Sequence, residues 1–380
     1  MDFSMKLVKE CLLDEEKEGS QSLADLNAKA SELINMAVST SKEGKKNQWR
    51  MMKMIFSTRV DGKNFINDNK RLEISFINGV WIDQKLKLEP SFQETISTIY
   101  KAESKTLDFC KKAAIDKVNS WVKKETKGLI RAILPNELPR DSIKVVVANA
   151  IYFSGDWLEP FKKVNTKDDK FHLLNQKVVE APFMCMRSTM FSHGSYDGFQ
   201  VLKLPYEHGN DKRRFSMYLP YEHGNDKRRF SMYIFLPDEK DGLPDLIKKF
   251  NSNSEFFNQS FEGKLKIIDI LKIPKFKFSI DIKVSDTLSK LGLHLNPKDI
   301  EMVVPNGDGD RIDVFHKVYI DVNERGTEAA AVAAGIMCGC ARNPPPPFLF
   351  IADHPFMFMI REEMSGIPFF IGAVLNPLLD

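Results

Sequence analysis

Residues 324–347 read ERGTEAAAVAAGIMCGCARNPPPP. A glycine and a run of small residues open the stretch, two cysteines follow without regular pattern, and four prolines close it. On its left, Val318, Ile320 and Val322 alternate with Lys317, Tyr319, Asp321 and Asn323, the period of two that half-buries a strand. On its right, Phe348 to Ile360 is nearly all apolar. Segments of this length between two strands of a compact domain are usually functional or unstructured.

Two readings of the small-residue run compete. By propensity, Thr327 caps a two-turn surface helix over Glu328 to Ala334, and Gly335 stops it. In the other reading the run is a strand waiting for a sheet. At period two, Thr327, Ala329, Ala331, Ala333 and Gly335 share one face, and Glu328, Ala330, Val332 and Ala334 the other. The first face has neither charge nor bulk, so it can enter a packed sheet at little steric cost. Composition leaves both readings open.

The hinge GTEAAAVAA, with FIADHPFMFMI downstream, resembles the reactive-centre loop and following strand of a serpin. Asn149, Ala150, Tyr152, Phe153, Gly155 and Trp157 in VVVANAIYFSGDW, and the C-terminal FFIGAVLNP, carry the same likeness. The loop composition and ISFINGVWID (Ile74 to Asp83) are similar to plant members. The likeness runs from about Ile74 to the C-terminus. Its specific part is Phe350-Ile351-Ala352-Asp353-His354-Pro355-Phe356.

The resemblance implies an α+β serpin fold: one domain over 1–380, mixed β-sheets with surrounding helices, and an exposed loop. It implies a serine-type endopeptidase inhibitor that acts as a suicide substrate. The target protease cleaves the loop. The amino-side half, Gly326, Thr327, Glu328, Ala329, Ala330, Ala331, Val332 and Ala333, then inserts into the main sheet, and the acylated protease is dragged with it. In the family the hinge glycine lies fifteen residues before the cleaved bond, which from Gly326 gives Cys340–Ala341. A small, uncharged Cys340 suits a small apolar pocket or a cysteine protease. A register two residues later, Arg342–Asn343, suits a trypsin-like enzyme. The alternatives are a non-inhibitory member or one directed at cysteine proteases. Asn149 and Trp157 are implied to support the sheet where the loop enters, and Asp353, His354, Pro355 and Phe356 to be structural. The implied partner is the target endopeptidase, in covalent complex with a monomeric inhibitor.

Three features depart from the family pattern. No F-S-P-x-S-like strand motif precedes Ile74, so the N-terminal part reads as shortened. Arg325 stands where an acid is usual before the hinge glycine. Four prolines after the bond stiffen the loop as polyproline II.

The rest of the chain excludes other classes. At 380 residues and 43% hydrophobic, it suits a single large globular domain. A net charge of +3 is too small to argue for nucleic acid or an anionic membrane. MDFSMKLVKECLLDEEKEGS lacks the apolar core of a signal peptide, and five scattered cysteines suggest reduced thiols. A cytoplasmic or nuclear location is expected, with an extracellular one, as for many members of the family, as the alternative. Cys338-Gly339-Cys340 with His354 lacks zinc spacing, and no GxSxG, HExxH or phosphate loop occurs. No catalytic residue, metal or cofactor is expected.

Several elements are legible directly. Leu72 to Ile82 reads as a strand, and Phe92 to Lys101 and Leu107 to Lys124 as helices. The second helix has Leu107, Ala114, Val118, Trp121 and Val122 as its buried stripe. Ser22 to Val38 and Ser285 to Leu291 also read as helices. Val145 to Phe153 is the continuous apolar run of a strand buried on both faces, with a turn at Ser154-Gly155-Asp156. Lys275 to Lys283 alternates strictly. Phe348 to Ile360 and Ile367 to Val374 read as two strands of a hairpin. Residues 204–218 and 219–233 are the same fifteen letters, LPYEHGNDKRRFSMY, twice over. One copy of this tandem duplication is expected to loop out of a hairpin whose strands lie near Val201 to Tyr206 and Phe230 to Leu236.

Overall fold

The structure, a computed structural model, describes residues 65–66, 72–98, 102–135, 143–207, 228–252, 261, 263–283, 311–327, 346–366 and 368–379. The chain first forms β1 (Phe65–Ile66), β2 (Leu72–Asp83), α1 (Pro90–Thr98), β3 (Glu103–Leu107), α2 (Lys112–Glu125) and β4 (Ile143–Asp156). Next come β5 (Lys167–His172), β6 (Val178–Tyr196), β7 (Phe199–Pro205), β8 (Phe230–Pro237), α3 (Leu243–Ser252) and β9 (Lys264–Pro274). It ends with β10 (Phe276–Lys283), β11 (Arg311–Val322), β12 (Gly326–Thr327), β13 (Leu349–Ile351), β14 (Phe356–Glu362) and β15 (Pro368–Val374). These elements make two sheets. The first runs β1-β2-β4-β11-β10, with β3 on β2 and β12 on β4. The second runs β13-β9-β6-β7-β8-β14-β15, with β5 on β6.

β4 lies at the centre because its letters leave it no wet face. Val145, Val147, Ile151 and Phe153 enter the core between the sheets, while Val146, Ala148, Ala150 and Tyr152 enter a second core. That second core forms under α2, whose buried stripe is Ala114, Ile115, Val118 and Val122. Each such valine contributes about 1.5–3 kcal/mol by leaving water. Trp121 meets Trp81 of β2 edge-on at 4.9 Å.

Three expectations need correction. Leu107 ends β3 and is not part of the helix, which starts at Lys112. Ser154-Gly155-Asp156 does not turn but continues β4, because β2 pairs with Ser154 and Gly155 on one edge. The run Phe348 to Ile360 is two strands, β13 and β14, interrupted by Ala352 to Pro355. Pro355 has no N–H for a ladder, and His354 turns its ring to other partners. The expected helices at Ser22 to Val38 and Ser285 to Leu291 lie outside the described residues.

The duplicated hairpin is resolved by use of both copies. β7 takes Leu204 and Pro205 from the head of the first, and β8 takes Phe230 to Tyr233 from the tail of the second. Leu204 pairs with Met232 and Pro205 with Ser231. Residues 208–227, the material between, lie outside the described residues.

Candidate functional site at the open end of a parallel strand pair

β4 and β11 run parallel and are paired from Arg311↔Ile143 to Tyr319↔Tyr152. Their outer neighbours are antiparallel: β2 on β4, and β10 on β11. Beyond Tyr152 and Tyr319 the two strands no longer pair. There the chain leaves β11, reverses over Glu324 and Arg325, and returns as β12, antiparallel to β4 at Gly326↔Asp156 and Thr327↔Gly155. A strand has two edges, and β2 occupies one of them at Gly155. β12 therefore lies on the β11 side, in the mouth between the two parallel strands. A bridge between Asn323 and Gly326 closes the reversal.

The reversal requires glycine. Gly326 has φ +140°, and a Cβ there would sit 2.0 Å from the Gly155 carbonyl oxygen and 2.7 Å from the Trp157 nitrogen. Both neighbours are backbone and cannot give way. Trp157 fastens the same point twice. Its backbone N–H donates to the Arg325 carbonyl at 2.7 Å, and its indole N–H to the Asn323 carbonyl at 3.0 Å. Its ring stacks on Tyr206 at 4.5 Å, and Tyr206 meets Phe153 edge-on at 4.7 Å.

Glu324 is the residue at this site that sequence reasoning missed. It is buried, and Lys275 approaches its carboxylate to 3.0 Å while the Thr166 hydroxyl donates to it at 2.8 Å. Burial raises its pKa. Hydrogen bonds from its own backbone, Lys275 and Thr166 outweigh that and hold the carboxyl below the usual range. The Glu324 carbonyl also accepts from the Phe161 N–H at 2.7 Å. The acid of the hinge is thus two positions before Gly326, and Arg325 between them is only partly buried. The available signal was parity: continued at period two from Val318, Ile320 and Val322, position 324 points inward.

Lower in the same strands a polar row crosses the core. Asn78, Asn149 and His316 are register partners on β2, β4 and β11. The Asn149 amide donates to the Asn78 side-chain oxygen. Asn149 Oδ1 and His316 Nε2 are buried with no hydrogen-bond partner. Burial pushes the His316 imidazole down to about 4. This row thus leaves two buried polar atoms without a partner between β4 and β11.

On the far side of the loop the chain is anchored to the second sheet. The Phe348 N–H donates to Asp269 Oδ2 at 2.7 Å, and the Asp269 N–H donates to the Phe348 carbonyl at 2.9 Å. β13 then runs parallel to β9. His354, buried, donates from Nε2 to the Pro237 carbonyl at 2.9 Å, and its Nδ1 lies 2.8 Å from Asp353 Oδ1. Pro355 and Phe356 are buried beside it. Gly326 and the backbone of Thr327 are thus placed at the sheet mouth. Glu328, Ala329, Ala330, Ala331, Val332, Ala333, Cys340 and Ala341 lie outside the described residues.

The chain is similar to known proteins over most of its length. The family profile for Serpin (serine protease inhibitor) matches residues 20–377. Serpin-ZXA of Oryza sativa subsp. japonica is 42% identical over 314 residues, covering 80% of this chain and 75% of that protein. Serpin-ZX of Arabidopsis thaliana is 40% identical over 318 residues, covering 80% and 77%. Among solved structures, Arabidopsis AtSerpin1 in its native stressed conformation superposes with a TM-score of 0.72. It is 33% identical, with 99% of this chain and 98% of that one covered.

Proposed function

We propose that this chain, which belongs to the serpin family of serine protease inhibitors, traps its target by cleavage and insertion of the loop that follows Gly326. Its family is one of inhibitors and not of enzymes. A shared fold does not assign an activity, so the reading rests on the site. The observation that carries it is the parallel pair β4–β11, flanked by antiparallel pairs, with β12 already antiparallel in its mouth. A strand that continues from Thr327 between them runs antiparallel to both. One parallel ladder is replaced by two antiparallel ones, which are slightly more stable per residue.

The net gain is about one backbone hydrogen bond per inserted residue. At ~1 kcal/mol each, a strand of about ten residues contributes on the order of 10 kcal/mol, as much as the whole stability of a typical domain. Before cleavage, the anchors at Trp157 and at Asp269 hold both ends of the loop, and the gain is withheld kinetically. Cleavage frees the amino-side end while the protease is still attached as an acyl-enzyme.

The test is incubation with a panel of serine and cysteine proteases. A denaturant-stable complex, with cleavage at Cys340–Ala341 by mass, is expected. Cleavage without a complex for every protease would establish a non-inhibitory member. A complex only with cysteine proteases would redirect the target class.

A further inference from the structure

Thr166 holds the buried carboxylate of the hinge from a half-buried position of its own. Its hydroxyl donates to Glu324 Oε1 at 2.8 Å, and Lys275 Nζ lies 3.0 Å from Oε2 and 3.3 Å from Oε1 of the same group. Glu324 itself is 4% exposed. Its carbonyl and that of Arg325 accept from the Phe161 and Trp157 N–H groups, so the carboxylate clasp fixes the reversal that leads to Gly326.

The chain around Thr166 can give way. The residue follows the 3-10 turn Lys163–Asn165 and precedes β5, with an extended backbone at φ −73° and ψ 125°. Lys162 to Asn165, Lys167 and Asp168 are all exposed. β5 pairs with β6 only from Lys167 onward, and the Thr166 N–H donates to the Lys163 carbonyl at 3.0 Å. One turn bond and the side-chain bond to Glu324 therefore hold the hydroxyl inward, a small barrier to local opening.

Thr166-Lys167-Asp168-Asp169, a threonine with an acid three residues on, also has the spacing of a helix cap. Here a strand follows, and Asp169 is turned to Lys272 at 2.5 Å. The acid after the threonine is thus already paired, while Lys162 and Lys163, four and three residues before it, stand exposed on the turn. An enzyme that grips this segment in extended form meets the two lysines first, and an acidic groove suits them.

We propose that Thr166 is a phosphorylation site that opens the hinge clasp, modified by a protein kinase with an acidic substrate groove. Thr166 Oγ1 attacks the γ-phosphorus of a nucleoside triphosphate. The bond from that phosphorus to the β–γ bridging oxygen breaks, the nucleoside diphosphate leaves, and the hydroxyl proton passes to the kinase's base. A donor becomes a dianion that only accepts. It repels Glu324 and competes for Lys275, so the carboxylate loses both partners and the reversal loosens before any protease arrives. The consequence for trapping rests on the inhibitory reading above; the consequence for stability does not.

The test incubates the full chain with a nucleoside triphosphate and either a kinase with an acidic groove or one with a basic groove. The site is located by mass. Phosphate on Thr166 is expected from the first kinase, absent in Thr166→Ala, retained at that position in Thr166→Ser, and about tenfold slower in Lys162→Glu/Lys163→Glu. The phosphorylated protein should unfold about 5 °C lower and give a smaller ratio of covalent complex to cleaved product, with a phosphatase restoring both. No phosphate on Thr166 from either kinase overturns the site. Phosphate from the basic-groove kinase alone overturns the assigned enzyme class. Full phosphorylation with parental midpoint and ratio overturns the clasp. If the unmodified parent forms no complex with any protease, the inhibitory reading falls, and an unchanged midpoint would then overturn the clasp by itself.

Discussion

Thr327 is the first residue after the hinge glycine, and in the insertion reading it leads the uncharged face into the sheet. Arginine there would carry an unpaired ion into a dry site, at a cost of several kcal/mol. Thr327→Arg is expected to fold normally but to be cut as an ordinary substrate. Glu328→Arg, on the opposite face, is expected to inhibit nearly as well as the parent. The check is the ratio of covalent complex to cleaved product with one inhibited protease; equal ratios for all three proteins would return the run to the surface-helix reading. At this scale much was legible. Gly326 was singled out as the hinge by the family resemblance alone, while the backbone it approaches, Gly155 to Trp157, could not be read. Glu324 was hidden because its partners Lys275 and Thr166 are about 49 and 158 residues away in the chain.

Among elements, the β4–β11 pair and its polar row carry a pH signature. Above about pH 6.5, His316 is neutral in folded and unfolded chains alike and adds no pH dependence. Below that, the unfolded chain binds a proton that the folded chain refuses down to about pH 4. Stability therefore falls as pH drops through this window, by ~2 kcal/mol near pH 5. Unfolding midpoints in denaturant from about pH 7 to about pH 5 should show the fall in the parent and a flatter profile in His316→Gln. An unchanged slope would place the titrating group elsewhere.

The β7–β8 hairpin makes a second prediction at this scale. Because it takes its head from one copy of the repeat and its tail from the other, deleting residues 219–233 restores a single LPYEHGNDKRRFSMY between the same pairs. The connection between Pro205 and Phe230 shrinks from 24 residues to 24 − 15 = 9. Closure entropy then favours the deletion by up to about 1 kcal/mol. A thermal midpoint equal to or above the parent's is expected; a chain that fails to fold would put the intervening material in the core. Strands with clean alternation or continuous apolar runs, β11 and β4, could be read from sequence. β6 could not, since Pro182, Arg187 and Ser188 break its pattern and the slip at Ser188 changes its parity. α3 was missed as well, its apolar face being only Leu243, Leu246, Ile247 and Phe250.

At the scale of the molecule, the insertion reading has a sheet held one strand short of its best hydrogen bonding. The orphaned atoms of Asn149 and His316 lie under the closed part of the pair, and β12 waits at its mouth. The central claim is that β4 and β11 must separate for the loop to enter. Ala150 and Lys317 are register partners near the upper end of the pair. Neighbouring strands lie about 4.8 Å apart, within the span a disulfide accepts. Ala150→Cys/Lys317→Cys, with the cross-link located by mass, should lock the pair when oxidised and release it when reduced. With an inhibited protease, the oxidised protein should be cleaved with little covalent complex, and reduction should restore the parental ratio of complex to cleaved product. A full yield of complex from the oxidised, cross-linked protein would contradict insertion between these two strands.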